Sequence, residues 1–234
     1  MAQLKLNVSL TLFIVGFLCT LASSHTAYQY LMFVTQWPKS VCYSMSVPCS
    51  KTPPIVFTVH GLWPSNYTGS TLTCSGAPFD EPLMNQPQQA ALKAHLEQHS
   101  WPDVLQGNHM GFWRHEWSAH GSCSDNVFAQ TEYFKWCDEM WKEKPINEIL
   151  GRSSIVPGRN KYYSRPDIEN AIRANTSHTP DIRCTLVSGT YMLFEVVICV
   201  DYYGKNIVDC VVRSKTPAMK TFCPPSNPSI LYPN

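Results

Sequence analysis

Nine cysteines standing downstream of an apolar leader constrain this 234-residue chain more than any other feature. Lys5 precedes an apolar run from Leu10 to Leu21, broken only by Thr11, Gly16 and Thr20; the small residues Ala22, Ser23 and Ser24 follow. That is the layout of a secretory signal peptide, and the run is shorter than the ~20 residues of a membrane span. The reading therefore divides the chain into a leader, residues 1–24, and one domain, residues 25–234. Cleavage is expected before His25, with cuts as late as Ala27 compatible with the pattern; a membrane anchor is the alternative. An oxidising destination turns the cysteines into a disulfide framework. Cys19 leaves with the leader, and Cys42, Cys49, Cys74, Cys123, Cys137, Cys184, Cys199, Cys210 and Cys223 remain. An odd count makes four bridges and one free thiol the simplest arrangement. Cys42 and Cys49 are close enough for a local loop, and Cys199 with Cys210 can clasp a hairpin; spacing leaves the full connectivity open. No C-x-x-C pair is present, which argues against a zinc ribbon or a thioredoxin-like site.

Loss of the leader removes Lys5 and no acid. From 18 basic and 17 acidic residues the mature chain is left with zero formal charge. Proteins that bind polyanions usually carry a basic excess, so any positive potential here must be local. Two glycosylation sequons, at Asn66 and Asn175, are expected on surface loops, whereas Asn227 is followed by proline and is excluded.

No internal repeat or low-complexity linker divides the chain. Residues 28–37, aromatic and β-branched, read as a strand ending at Pro38, and residues 42–54 as a stapled loop. Residues 55–60 read as a second strand delivering His60 at its end. Helices are expected over residues 88–99, 111–120, 131–144 and 166–174, the last with Pro166 near its start. Residues 191–201 are the most strand-like segment, and 206–212 pair with them as a hairpin. Helices mid-chain with strands at both ends predict an α+β fold with a largely antiparallel sheet.

Two segments carry the chemistry. In His60-Gly61-Leu62-Trp63-Pro64, a histidine beside a glycine and an aromatic is placed to face a cleft. In Phe112-Trp113-Arg114-His115-Glu116-Trp117-Ser118-Ala119-His120-Gly121-Ser122-Cys123, Glu116 and His120 lie four apart and share a helical face, with His115 and Ala119 on the next. An imidazole that titrates near neutrality, paired with a carboxylate, is a good proton handler. A helical zinc site needs histidines four apart around a glutamate. His115 and His120 are five apart, ~140° round the helix, so no metal is expected. His25, His95, His99, His109 and His178 have no motif around them and read as surface or structural residues. Trp37, Trp101, Trp117 and Trp141 read as core, and Trp113 fits either role. Cys137, on an apolar helical stripe, reads as a buried inert thiol.

His60-Gly61-Leu62-Trp63-Pro64 and His115-Glu116-Trp117-x-x-His120-Gly121-x-Cys123 resemble the two active-site signatures of the ribonuclease T-two family. These are secreted, metal-free acid ribonucleases, and the resemblance covers essentially the whole mature chain. Tyr28-x-Tyr30 leading to Gln36-Trp37-Pro38, with the cysteine-rich C-terminal quarter, is most similar to the S-type ribonucleases of plant pistils. The resemblance implies cleavage of single-stranded RNA: His120 as general base on the 2′-hydroxyl, His60 as general acid on the leaving 5′-oxygen, and a 2′,3′-cyclic phosphate product. Glu116 and a neighbouring cation would stabilise the phosphorane and His115 would hold the phosphate. Trp63 and Phe112 would stack bases, with Gln36 adding a hydrogen bond. It also implies the bridges Cys42–Cys49, Cys74–Cys123, Cys184–Cys223 and Cys199–Cys210, leaving Cys137 free. A monomer is expected and, for an S-type protein, uptake into pollen tubes and a pollen F-box-type recognition partner. Two positions depart from the pattern. Ser65 stands where many relatives have aspartate, which leaves base preference open, and Ala119 stands where the family usually has lysine, which removes a cation. An S-like ribonuclease for phosphate scavenging or defence, and a weakened relative used for storage or recognition, are the alternatives.

Overall fold

The computed structural model describes residues 28–45, 49, 52–68, 72–211, 222–224 and 229–234. The predicted leader and its expected cleavage site lie outside the described residues. Strand β1 (Tyr30–Gln36) is wholly buried, and its side chains alternate between two apolar clusters as strand periodicity demands. Leu31 and Phe33 enter the larger cluster, beneath the helices, while Tyr30, Met32 and Val34 enter a smaller one on the other face. Strand β2 (Thr58–Ser65) pairs with one side of β1 and the long β5 (Thr190–Asp201) with the other, both antiparallel. Strand β4 (Asp181–Val187) and β6 (Ile207–Val208) also pair antiparallel with β5. Strand β7 (Ile230–Leu231) runs parallel to β5 and antiparallel to β3 (Tyr162–Tyr163). The result is a seven-stranded, largely antiparallel sheet within an α+β fold.

Several elements differ from the expectations. Pro38 opens helix α1 (Pro38–Ser44), which runs into the start of the loop expected over residues 42–54, since proline fits the first helical turn, where its missing N–H costs nothing. Strand β2 starts at Thr58, not Ile55, because Ile55 and Val56 are exposed bends; His60 is therefore its third residue, not its last. The strand continues through Pro64, which is tolerated because β2 ends the strand order and needs no partner on that side. Past the short α2 (Glu81–Met84), the helix expected over residues 88–99 changes pitch: a 3-10 turn (Pro87–Gln89), α3 (Ala90–His95) and a π turn (Leu96–Ser100). Helices α4 (His109–Ala119), α5 (Gln130–Glu143) and α7 (Arg165–Thr176) stand close to their predicted positions, and α6 (Ile146–Arg152) was not anticipated. Only Ile207 and Val208 pair in the expected 206–212 hairpin strand; Val212 lies outside the described residues. Asn175 is exposed but stands in the last turn of α7 rather than on a loop, while Asn66 follows β2 in a turn.

Four disulfides among the described residues close the framework: Cys42–Cys49, Cys74–Cys123, Cys184–Cys223 and Cys199–Cys210, the pairs that the resemblance implies. Cys137 is unbridged and buried on α5, and burial pushes its thiol well above the usual range, which keeps it protonated and inert. Trp37, Trp101, Trp113 and Trp117 are all in the core, which settles Trp113 as structural. Each buried indole N–H finds a carbonyl; Trp113 donates to Trp101 O at 2.9 Å and Trp117 to Ala77 O at 2.8 Å. No helix among the described residues is long and apolar enough to cross a membrane.

Candidate active site

A bulge builds the first half of the site. Val34 pairs with Gly61 and Thr35 with Val59, so His60 is an extra residue in β2. Bulges re-aim side chains, and this one leaves His60 partly exposed, with 25 % of its side chain open to solvent. The backbone is held at His60 and just beyond it: Trp101 Nε1 donates to His60 O at 3.1 Å, and the Tyr133 hydroxyl donates to Leu62 O at 2.8 Å. Helix α4 supplies the second half. Asn108 caps it by accepting from Gly111 N at 3.1 Å, and Trp113, Glu116 and Trp117 form its buried stripe. The helix stops at Ala119. His120 is the C-cap residue, its N–H still bonded to Glu116 O at 3.0 Å, while the Cys74–Cys123 bridge ties the following turn.

These elements bring His60, Trp63, Glu116 and His120 together. The Trp63 ring lies 5.0 Å from that of His60 and 4.8 Å from that of His120, between the two imidazoles. Glu116, only 2 % exposed, accepts from Trp63 Nε1 at 2.8 Å and faces His60 Nε2 at 3.8 Å. Its carboxylate therefore turns toward His60, although sequence spacing paired it with His120. Gly61 makes this possible, since a Cβ there would run into both the Glu116 carboxylate and the Trp63 indole nitrogen. His115 is exposed and borders Phe112 along a shallow depression. Gln36, buried at the end of β1, lines a cavity beside His60 with Asp103, Leu105, Phe112 and Phe194. Ser65 is buried at the end of β2, opposite Tyr30.

The two histidines are driven in opposite directions. Burial pushes His60 down, but a hydrogen bond and the charge of Glu195, with Glu116 behind them, outweigh it and raise its pKa above the usual value. Burial pushes His120 down to about 4, assisted by repulsion from His60 and His115. Burial also raises Glu116, against the pull of His60 and Trp63. Between the two pKa values one imidazole holds its proton and the other is a free base. Among the described residues no group of three or more His, Cys, Asp or Glu is arranged to hold a metal ion.

The model of the Ribonuclease T2 family matches residues 28–210. The chain belongs to the ribonuclease T2 family. It is thus an RNA-cleaving endoribonuclease. Ribonuclease S-6 of Pyrus pyrifolia is 35 % identical over 218 residues, 90 % of each chain. Ribonuclease MC of Momordica charantia is 36 % identical over 183 residues, covering 76 % of this chain and 92 % of that one. The solved structure of Japanese pear S3-RNase aligns with a TM-score of 0.73 at 32 % identity, over 88 % of this chain and 100 % of that one.

Two charged residues of this T2 ribonuclease escaped the sequence reading. Glu195, in the middle of β5, accepts from His60 Nδ1 at 2.6 Å, and Arg183 on β4 reaches Glu195 at 3.1 Å. Arg183 also lies over the Trp63 ring, 5.4 Å from its centroid. The available signal was a lone acid within the apolar run Leu193–Val200; a buried carboxylate needs partners, but His60 lies 135 positions away, and Arg183, 12 positions away, meets it only once β4 pairs with β5.

Proposed function

We propose that the chain cleaves single-stranded RNA by metal-independent transphosphorylation, with His120 as general base, His60 as general acid and a 2′,3′-cyclic phosphate as product. The opposed protonation of the two imidazoles carries this reading. Neutral His120 takes the 2′-hydroxyl proton, and the 2′-oxygen attacks the adjacent phosphorus. Protonated His60 delivers a proton from Nε2 to the departing 5′-oxygen. Glu116, poised 3.8 Å from His60 Nε2, and exposed His115 bear on the charge that grows on the phosphorane; such stabilisation adds to the ~10²–10⁴-fold from each positioned proton transfer. Because the nucleophile belongs to the substrate, no metal is required. Phe112 and Gln36 take one base in the cavity beside His60, and Trp63 is the aromatic platform for the other. A solved relative, RNase NT, is in complex with 5′-AMP; it aligns with a TM-score of 0.73 at 26 % identity, over 88 % of this chain and 98 % of that one.

RNA degradation in EDTA, with product analysis, tests the reading. Activity in chelator yielding cyclic phosphate, abolished in folded His60→Ala and His120→Ala, is expected. A folded His120→Ala protein with near-normal activity sinks the assignment. Loss in EDTA restored by zinc would mean a metalloenzyme, and inactivity under every condition a storage or recognition protein.

For biological setting, the favoured reading is a secreted, glycosylated, monomeric pistil S-ribonuclease that enters pollen tubes and meets a pollen F-box-type protein. Supporting it, relatives from Pyrus pyrifolia and Nicotiana alata bear S-ribonuclease names; ribonuclease MC, whose name carries no S designation, leaves the S-like alternative open. High allelic diversity among plants of one population is the expected result for the S-type role, and a single invariant allele would overturn it.

A further inference from the structure

Glu195 is 2 % exposed in the centre of β5, where burial of an unpaired carboxylate would be prohibitive. Its register explains why it is tolerated: Arg183 of β4 stands directly opposite on one side and Gln36 of β1 on the other. One carboxylate oxygen accepts from His60 Nδ1 at 2.6 Å and the other from Arg183 Nη1 at 3.1 Å. Arg183 is anchored in turn by Asp181 at 3.1 Å. Replacing a buried ion pair with apolar residues is often neutral or stabilising, so stability alone is a weak reason for this chain of charges. Its chemical consequence is specific. Glu195, ionised, can only accept, so Nδ1 of His60 must carry a proton, and the proton free to leave is the one on Nε2.

We propose that Glu195 is the positioning carboxylate of His60: held by Arg183, it fixes the imidazole tautomer that presents Nε2 to the leaving oxygen and keeps that nitrogen protonated. The proposal rests on the general-acid reading of His60. The charged groups that face His60 are Glu195 from β5, Glu116 from α4, Arg183 from β4 and His120 just beyond α4. Both acids favour the protonated form, which burial and Arg183 oppose, while His120 is neutral above about 4. Burial pushes Glu195 itself up, but the hydrogen bonds and charges of His60 and Arg183 outweigh it and hold its carboxyl below the usual range.

Glu195→Gln removes the charge but keeps an oxygen that can accept from Nδ1; Glu195→Ala removes both. In the glutamine variant the alkaline limb of kcat/KM moves to lower pH, with a loss of ~10-fold for each unit moved, while the acid limb and KM stay in place. Below the shifted limb the glutamine variant recovers wild-type rates, and the alanine variant does not, because its imidazole is no longer oriented. A merely structural role would lower the active fraction equally at every pH. If neither variant folds, nitrogen-15 NMR of the unmodified protein decides: neutral His60 must be protonated on Nδ1, with Nε2 free. An alkaline limb unmoved in a folded Glu195→Gln protein, or a neutral His60 protonated on Nε2, overturns the proposal. If instead His60→Ala remains active while the Nδ1 proton is present, the general-acid reading falls and the Glu195–His60 pairing stands.

Discussion

At the scale of single residues, the histidines matter through their environments. Considered as isolated groups, both would titrate near the ordinary value of ~6.5 and give a narrow bell. Burial and repulsion place His120 at about 4, and Glu195 with Glu116 raise His60. The signs follow from their roles: activity rises with pH as His120 loses its proton near 4 and falls as His60 loses its own above 6.5. The expected kcat/KM profile is therefore a broad plateau across mildly acidic pH; a narrow peak centred on 6.5 would refute the split. Ala119 is the second residue-scale question. His115, four residues earlier on the same face and exposed, is the side chain placed to stand in for the usual lysine. Losing one transition-state donor typically costs ~10²–10³ in kcat, so Ala119→Lys should raise kcat, and His115→Ala should cost less in that background. Additive effects at equal salt would show that His115 does not substitute for the lysine.

At the scale of elements, the site depends on two close approaches. Strand β2 presses against α4 at Gly61, where an added methyl would displace Glu116 or Trp63. Gly61→Ala should break a charged hydrogen bond worth ~1.5–3 kcal/mol and reduce kcat, while the sheet, held by β1, persists. Wild-type kinetics from Gly61→Ala would remove the importance assigned to the Trp63–Glu116 contact. The other approach is at the end of α4, where Cys74 Sγ lies 3.2 Å from Ala119 O and 3.4 Å from His120 O. Replacing Cys74 and Cys123 together by alanine should cost ~2–5 kcal/mol in denaturant unfolding. It should also lower kcat at full folding, because His120 loses its clamp; an unchanged kcat would make the bridge purely structural.

For the whole molecule, charge balance bears on how RNA is held. A formal net charge of +1 for the full chain provides no general attraction to a polyanion. Binding must rely on base stacking and on one or two local cations, so the salt dependence should be shallow. For single strands the slope of log K against log[salt] is about −0.7 per neutralised phosphate, which predicts about −0.7 to −1.4 for kcat/KM below saturation. A slope several times steeper would reveal a basic track that the composition hides.

Much of this molecule is legible along the chain. Helices α4, α5 and α7 and strands β1 and β5 announce themselves through local periodicity, and His60, Glu116 and His120 stand out by residue type and spacing. Strand β4 was hidden because Asp181 and Arg183 are charged yet buried, which no local pattern reveals. The extent of β2 was obscured by Pro64, harmless only on an edge strand. Tertiary structure alone decided which way Glu116 faces, that His60 bulges from its strand, and that Glu195 meets it across the sheet. Helical period and residue chemistry are local properties of a chain, whereas burial, electrostatic coupling and hydrogen bonding between residues 135 positions apart exist only once β2, β1, β5 and β4 lie side by side.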